Sequence, residues 1–246
     1  MPLSRADLET KLSIPSLSEY PHRHGGSLSS YSVPGERAVT TWKNLRKIAP
    51  GLGYWPVIFG EPKNLKQFSE MIASEHAENP AEILQQAARV DIQAYFKERS
   101  EEFSGENAHG EWPKSVQGMG DFTLPRKILS PDEFHQSVDI GLVPAENSWE
   151  VPAQLTFGGW NDCPYPHEQV AVLRYWNETH GAELVGLSGD VLEMQVARRP
   201  ASREDAIQLA NEQYWYCYDI VEQGAGTIEN LAATLLASDI WYFWWD

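Results

Sequence analysis

The sequence predicts a mixed α/β fold, in which helices cover a mixed β-sheet. The 246 residues are 42% hydrophobic and 22% charged, which is typical of a globular chain long enough to bury a core without disulfides or a structural metal. Segments with helical and with strand-like periodicity alternate along the chain. The last ninety-odd residues run strand, helix, strand, strand, helix, helix, strand, a pattern that favours a sheet packed against helices.

The N-terminal third predicts an arm followed by a folded region. Residues 1–35 are rich in Ser, Pro, Gly and His, and we expect an N-terminal arm with one edge strand there. Residues 36–246 are predicted to form a single mixed α/β domain. Its first elements are a helix ending at Pro50, a buried strand closed by Gly60, and two further helices; they are predicted at 36–49, 55–59, 65–72 and 80–99.

The middle of the chain is predicted to be irregular. Residues 100–126 are polar and Gly-rich, with Ser104-Gly105-Glu106-Asn107 and Gln117-Gly118 among them, and predict a loop or insertion. The segments Asp139–Val143 and Ala153–Phe157 predict two strands.

The C-terminal region has the clearest periodicity. We expect a helix from His167 to His180, then a hairpin at 183–187 and 191–196, with Glu193 on a solvent-exposed face. Ser202 and Thr227 are predicted to cap two more helices. The aromatic segment 240–246 predicts a central strand, on which Trp241, Phe243 and Trp245 share one face.

The segment Gly158-Gly159-Trp160-Asn161-Asp162-Cys163-Pro164 is the best candidate for a ligand- or partner-binding site. Paired glycines permit close backbone approach, Asn161 and Asp162 offer donors and acceptors, and Cys163 is a potential nucleophile with His167 as its base. Together with Trp160, these residues would face one cleft. The same residue types also form ordinary turns with side-chain to backbone hydrogen bonds, and both interpretations stay open.

Other chemical signatures are incomplete. His167-Glu168 begins like a zinc-protease motif, but Ala171 stands where the second histidine belongs. The dinucleotide-binding, nucleophile-elbow and phosphate-loop patterns also fail. The sequence therefore indicates no catalytic residue, no metal site and no cofactor, while it leaves open whether the protein is an enzyme.

Three motifs resemble a bacterial family of unknown function, DUF4253. They are Phe157–Pro164, then Arg174-Tyr175-Trp176 followed by His180–Glu183, and finally Trp241–Asp246. The resemblance is best over residues 151–246 and implies a shared fold in a bacterial, cytoplasmic protein. It implies no catalytic residues.

The charge distribution constrains the function. Against 19 Lys+Arg the chain has 35 Asp+Glu, a net charge of −16, which argues against binding of nucleic acid or anionic membranes. Two cysteines and no long apolar run predict a soluble, cytoplasmic protein. We expect a non-enzymatic module that binds a basic protein, in the manner of an immunity protein covering a toxin. The alternative is an enzyme or small-ligand binder with its cleft at the Gly158–Pro164 segment. A second explanation of the negative charge is that it serves only solubility and implies no binding partner.

Overall fold

The computed structural model describes residues 4–103, 108–116 and 118–246. Seven strands of this part form one sheet in the order β1-β2-β6-β3-β7-β8-β9, and β4 and β5 form a separate small hairpin. The strands are β1 (Ser18–Pro21), β2 (Ser27–Val33), β3 (Trp55–Gly60), β4 (Arg126–Lys127), β5 (Ser130–Phe134), β6 (Val138–Val143), β7 (Glu183–Leu187), β8 (Val191–Gln195) and β9 (Ile240–Trp244). Neighbouring strands of the large sheet are antiparallel except β3 and β7, which run parallel with Ile58 beside Gly186.

Helices pack against this sheet, which confirms the predicted mixed fold class. They are α1 (Arg5–Leu12), α2 (Gly35–Leu45), α3 (Pro62–Ala73), α4 (Pro80–Ala87), α5 (Ile92–Glu102), α6 (Val151–Leu155), α7 (Pro166–His180), α8 (Arg203–Tyr216) and α9 (Ile228–Ala237). A π-helical turn, Ile220–Ala225, links α8 to α9. Within the described residues, no helix is long and apolar enough to cross a membrane.

The predicted arm contains more regular structure than expected. Its described part forms α1 and two strands rather than one, and only β1 lies at the sheet edge, because β2 pairs with β6. Leu8 and Tyr31 of this segment are buried with Ile140 of β6 in a hydrophobic cluster. The proposed division between residues 1–35 and 36–246 stays a prediction.

Two predictions between residues 80 and 126 meet different outcomes. The single helix predicted at 80–99 is wrong, because Asp91 accepts hydrogen bonds from the backbone N–H groups of Gln93 and Ala94 and so starts a new helix, α5. The loop predicted at 100–126 begins within the last turn of α5, and its described part has no other helix or strand before β4. Residues 104–107 and 117 of this loop lie outside the described part.

The strand predicted at Ala153–Phe157 is also wrong, because Ala153–Leu155 form the second half of α6. A capping box between Asn147 and Glu150 starts a 3₁₀ turn that leads directly into the helix, and Pro152 occupies its first turn. Thr156 then ends it with φ 50°. A segment of five residues with this composition fits a short helix or a short strand equally well, and the preceding cap decides between them.

The predicted solvent-exposed face of the β7–β8 hairpin is covered. Residues 121–125, which we call the strap, cross the sheet there, and the Glu193 side chain is fully buried beneath them. Its carboxylate accepts hydrogen bonds from the backbone N–H groups of Thr123 and Leu124. A Cβ atom at Gly60 would lie 2.9 Å from the Leu124 carbonyl oxygen, and one at Gly186 2.7 Å from the Leu124 side chain. The strap can therefore lie this close only because β3 and β7 carry glycine at these positions.

The C-terminal strand lies at an edge of the sheet, so its predicted central position is wrong. The predicted facing is confirmed: Trp241, Phe243 and Trp245 are buried, whereas Tyr242 and Trp244 are partly exposed. Trp176 of α7 stacks on Phe243 with ring centroids 5.4 Å apart. One aromatic face thus anchors β9 to the core and the other meets solvent.

Candidate functional site

The Gly158–Pro164 segment folds back on itself in a tight turn. Gly158 and Gly159 have φ 116° and 81°, and Asn161 has φ 46°, all in the left-handed region. The N–H of Gly159 donates to the carbonyl oxygens of Cys163 and Pro164. A Cβ atom at Gly158 would lie 2.0 Å from the Pro164 carbonyl oxygen, so glycine is required there. The conformation is that of the turn interpretation, and it also forms one wall of a cleft.

This cleft, which we call the corner cleft, opens between the turn and helix α5 and has a volume of about 340 Å³. Helix α5 contributes one wall, and the turn with the start of α7 contributes the other. The lining residues are Tyr95, Glu98, Arg99, Glu102, Gly159, Asn161, Asp162, Cys163, Pro164, Tyr165 and Glu168.

The structure brings together three of the five predicted site residues. Asn161, Asp162 and Cys163 line the corner cleft, whereas Trp160 and His167 do not. Trp160 packs edge-on against Trp245 with ring centroids 6.3 Å apart, so it ties the turn to the end of β9. His167 stacks on the ring of Tyr165 at the start of α7. The amide of Asn161 adds a second link to the C-terminal segment, donating to a main-chain oxygen of Asp246 at 2.6 Å.

The environment of Cys163 disfavours nucleophilic chemistry. Its thiol is buried, and Gln169 Nε2 donates to its Sγ at 3.2 Å. Burial raises the pKa of the Cys163 thiol well above its ordinary value, so the reactive thiolate is disfavoured. The second cysteine, Cys217, is buried too, and its thiol donates to the Trp244 carbonyl oxygen at 3.0 Å. Both cysteines therefore behave as small core residues.

The corner cleft carries an excess of negative charge. Four carboxylates line it, those of Glu98, Glu102, Asp162 and Glu168, against the single guanidinium of Arg99. Arg99 is already engaged, because its Nη1 donates to Glu102 at 2.8 Å and its Nε donates to the main-chain oxygen of Trp215 at 3.0 Å. An incoming cation would meet carboxylates that Arg99 does not neutralise.

A buried hydroxyl group in the wall of the corner cleft lacks a hydrogen-bond partner. Tyr95 is 7% exposed, and its Oη has no partner among the residues that the structure describes. Burial raises the pKa of Tyr95, so the hydroxyl stays protonated. Because the Oη atom is itself shielded from solvent, this hydroxyl is not open to a ligand in the corner cleft.

The contribution of α5 is what sequence reasoning missed. The sequence predicts the helix, but nothing in it links residues 95–102 to a turn some sixty residues later. The available signal is local: Tyr95, Arg99 and Glu102 recur at three- and four-residue steps and so share one face of the helix.

In the described part of the chain, no group of three or more His, Cys, Asp or Glu side chains is arranged to hold a metal ion.

Comparison with known proteins supports the resemblance noted in the sequence. Residues 139–246 match the family model of the Domain of unknown function (DUF4253). No curated protein and no solved structure matches the chain. The Gly158–Pro164 turn lies inside the matched region, whereas α5 lies outside it. The two walls of the corner cleft thus come from different parts of the chain, and only one of them belongs to the matched segment.

Proposed function

We propose that this protein is a non-enzymatic binding module that accepts a cationic side chain of a basic protein partner in the corner cleft. The observation that carries this proposal is that four carboxylates line one concave site, against the single guanidinium of Arg99. An ammonium or guanidinium group carries positive charge and donates hydrogen bonds, and both properties match carboxylate acceptors.

The dimensions of the corner cleft favour one side chain over a whole metabolite. Its volume of about 340 Å³ is at the lower end of the range of about 300–1,000 Å³ found for small-molecule pockets. Tyr165 at its rim is 60% exposed, and aromatic residues of this kind often act as anchors in protein interfaces. A lysine or arginine inserted from a partner surface would bring that surface against Tyr165.

The charge of the whole chain supports the same class of partner. A net charge of −16 accelerates encounter with a basic protein and makes the association sensitive to salt. An immunity-like role in a bacterial cytoplasm, where an acidic protein masks a basic toxin, is the biological form that we propose for this binding.

A labelled octa-arginine peptide tests the site by fluorescence anisotropy at low and at physiological salt. Glu98 lines the corner cleft, and Glu101 lies on the same helix at an exposed position that does not. Glu98→Gln and Glu101→Gln remove the same charge, so nonspecific attraction would fall equally in both. We expect Glu98→Gln to weaken binding about fivefold and Glu101→Gln less than twofold. Equal losses, or no binding by the unmodified protein at low salt, would refute the proposal.

A further inference from the structure

A second cavity, of about 870 Å³, lies at the carboxyl ends of the parallel strands β3 and β7. Because β3 and β7 run parallel, the segments that follow them, Glu61–Asn64 and Ser188–Asp190, meet at the same edge of the sheet. Ligands of α/β proteins commonly bind at such an edge. The strap forms part of the wall through Thr123 and Leu124. We call this cavity the sheet-end cleft.

The residues that line the sheet-end cleft include one more cation than anions. Three of its lining residues, Lys63, Arg126 and Lys127, are cations, and two, Glu61 and Asp190, are anions. The whole chain has 35 acidic and 19 basic residues, so this lining differs from the chain as a whole. Asp121 and Glu133, just outside the lining, pair with Arg126 and Lys127. Helix α3 also begins at this edge with no side-chain cap, which adds partial positive charge.

The cations of the sheet-end cleft have partners that a ligand can replace. Lys63 Nζ lies 2.7 Å from a carboxylate oxygen of Glu61, and Lys127 Nζ lies 2.6 Å from one of Glu133. Both lysines are solvent-exposed, and ion pairs of this kind contribute only about 0–1 kcal/mol. An anion in the cleft can therefore take over these lysines at little cost.

Part of the remaining wall is apolar or aromatic. Tyr242 and Trp244, on the solvent-facing side of β9, line one side of the cleft. The tip of the β4–β5 hairpin lies at the other side, where Ile128 lines the cleft although it is 83% exposed. A flat ring bound between these groups would remove apolar surface from water on both sides.

From these features we infer that the sheet-end cleft binds a small organic anion that carries an aromatic ring. The ring lies against Tyr242 and Trp244, and the acid group lies towards Lys63, Arg126 and Lys127. This site is separate from the corner cleft, shares no lining residue with it, and does not depend on the function proposed for it.

The first test uses 8-anilinonaphthalene-1-sulfonate, an aromatic anion whose fluorescence rises on binding, and the uncharged N-phenyl-1-naphthylamine as its matched control. The full chain is expected to bind one sulfonate probe saturably and to bind the uncharged probe at least tenfold more weakly. Lys63 and Lys66 are both exposed lysines of α3, at 70% and 75%, but only Lys63 lines the cleft. We expect Lys63→Gln to weaken binding of the sulfonate probe about fivefold and Lys66→Gln to weaken it less than twofold. The melting temperatures of both variants should equal that of the unmodified protein.

A second pair of variants tests the hairpin. Ile128 and Leu129 are adjacent and 83% and 97% exposed, and only Ile128 lines the cleft, so Ile128→Ser and Leu129→Ser should both fold. Weaker probe binding in Ile128→Ser alone supports the site. Several weak binding sites that respond equally to all four variants, absence of sulfonate binding, or tighter binding of the uncharged probe would overturn the inference.

Discussion

Glu193 should make the stability of this protein fall as pH rises through neutrality. Its carboxyl group is fully buried under the strap, and burial raises its pKa to about 7 from an ordinary 4.5, although hydrogen bonds from Thr123 and Leu124 act in the opposite direction. The folded state therefore holds the proton more tightly than the unfolded state does. Below pH 4.5 both states are protonated and the contribution to stability is complete; it is lost as pH rises through about 7.

The size of this effect follows from the difference between the two pKa values. Each pKa unit corresponds to about 1.4 kcal/mol, so the full linkage is on the order of 3 kcal/mol, and most of it falls between pH 5 and pH 8. The replacement Glu193→Gln keeps the shape of the side chain and does not titrate. The free energy of unfolding of the variant minus that of the unmodified protein should therefore rise by roughly 2–3 kcal/mol over this range.

Urea unfolding followed by tryptophan fluorescence at pH 5, 6, 7 and 8 measures this difference. The exposed Glu111, replaced by Gln, is the control and should give a flat difference curve. A flat curve for Glu193→Gln, within about 0.5 kcal/mol, would show that Glu193 is not buried as described, and a falling curve would mean that the strap stabilises the ionised form.

Three further outcomes are expected. Tyr95→Phe should leave the free energy of unfolding unchanged or raise it by about 1 kcal/mol, because no hydrogen bond is lost; a clear loss of stability would reveal an unseen partner of the hydroxyl. Cys163 and Cys217 should not react with a thiol reagent in the native protein at neutral pH and both should react in guanidinium, whereas rapid native labelling would contradict their burial. Gly158→Ala should lower the free energy of unfolding by about 2 kcal/mol or more, because its Cβ would collide with a carbonyl oxygen. Gly51 has open space around it, so Gly51→Ala should change the free energy of unfolding by less than about 0.5 kcal/mol. Equal effects of the two variants in urea unfolding would contradict the turn geometry.

Local signals predicted the elements that end in strong caps or turns. The helix α7 stops at Gly181, which adopts φ 61°, and the β7–β8 hairpin turns at Ser188-Gly189-Asp190, both as expected. The alternation of Trp241, Phe243 and Trp245 also gave the correct buried face of β9. In each case the information lies within a few residues of the feature that it determines.

The features that the sequence did not predict depend on contacts between segments that are far apart in the chain. Alternation in β8 correctly separates Glu193 from Leu192 and Met194, but it cannot show that the strap, some seventy residues earlier, covers the second face. The edge position of β9 likewise depends on which strands lack a further neighbour, a property of the whole sheet. For the candidate site, the turn was found from its residue types, whereas the contribution of Tyr95 required knowledge of how α5 packs.

Net charge is a weak guide to what each cavity of this protein binds. The same acidic chain has a corner cleft with four carboxylates and a sheet-end cleft with three cations, because a cavity responds to the groups that line it and charges beyond about 10 Å are screened. The sheet-end cleft exists because β3 and β7 pair in parallel across more than 120 residues, which brings Lys63 to the segment after β7. Lowering ionic strength should therefore strengthen octa-arginine binding and strengthen binding of the sulfonate probe at the same time, although the two ligands carry opposite charge. If added salt weakened only the peptide, the local cations of the sheet-end cleft would have no part in holding an anion.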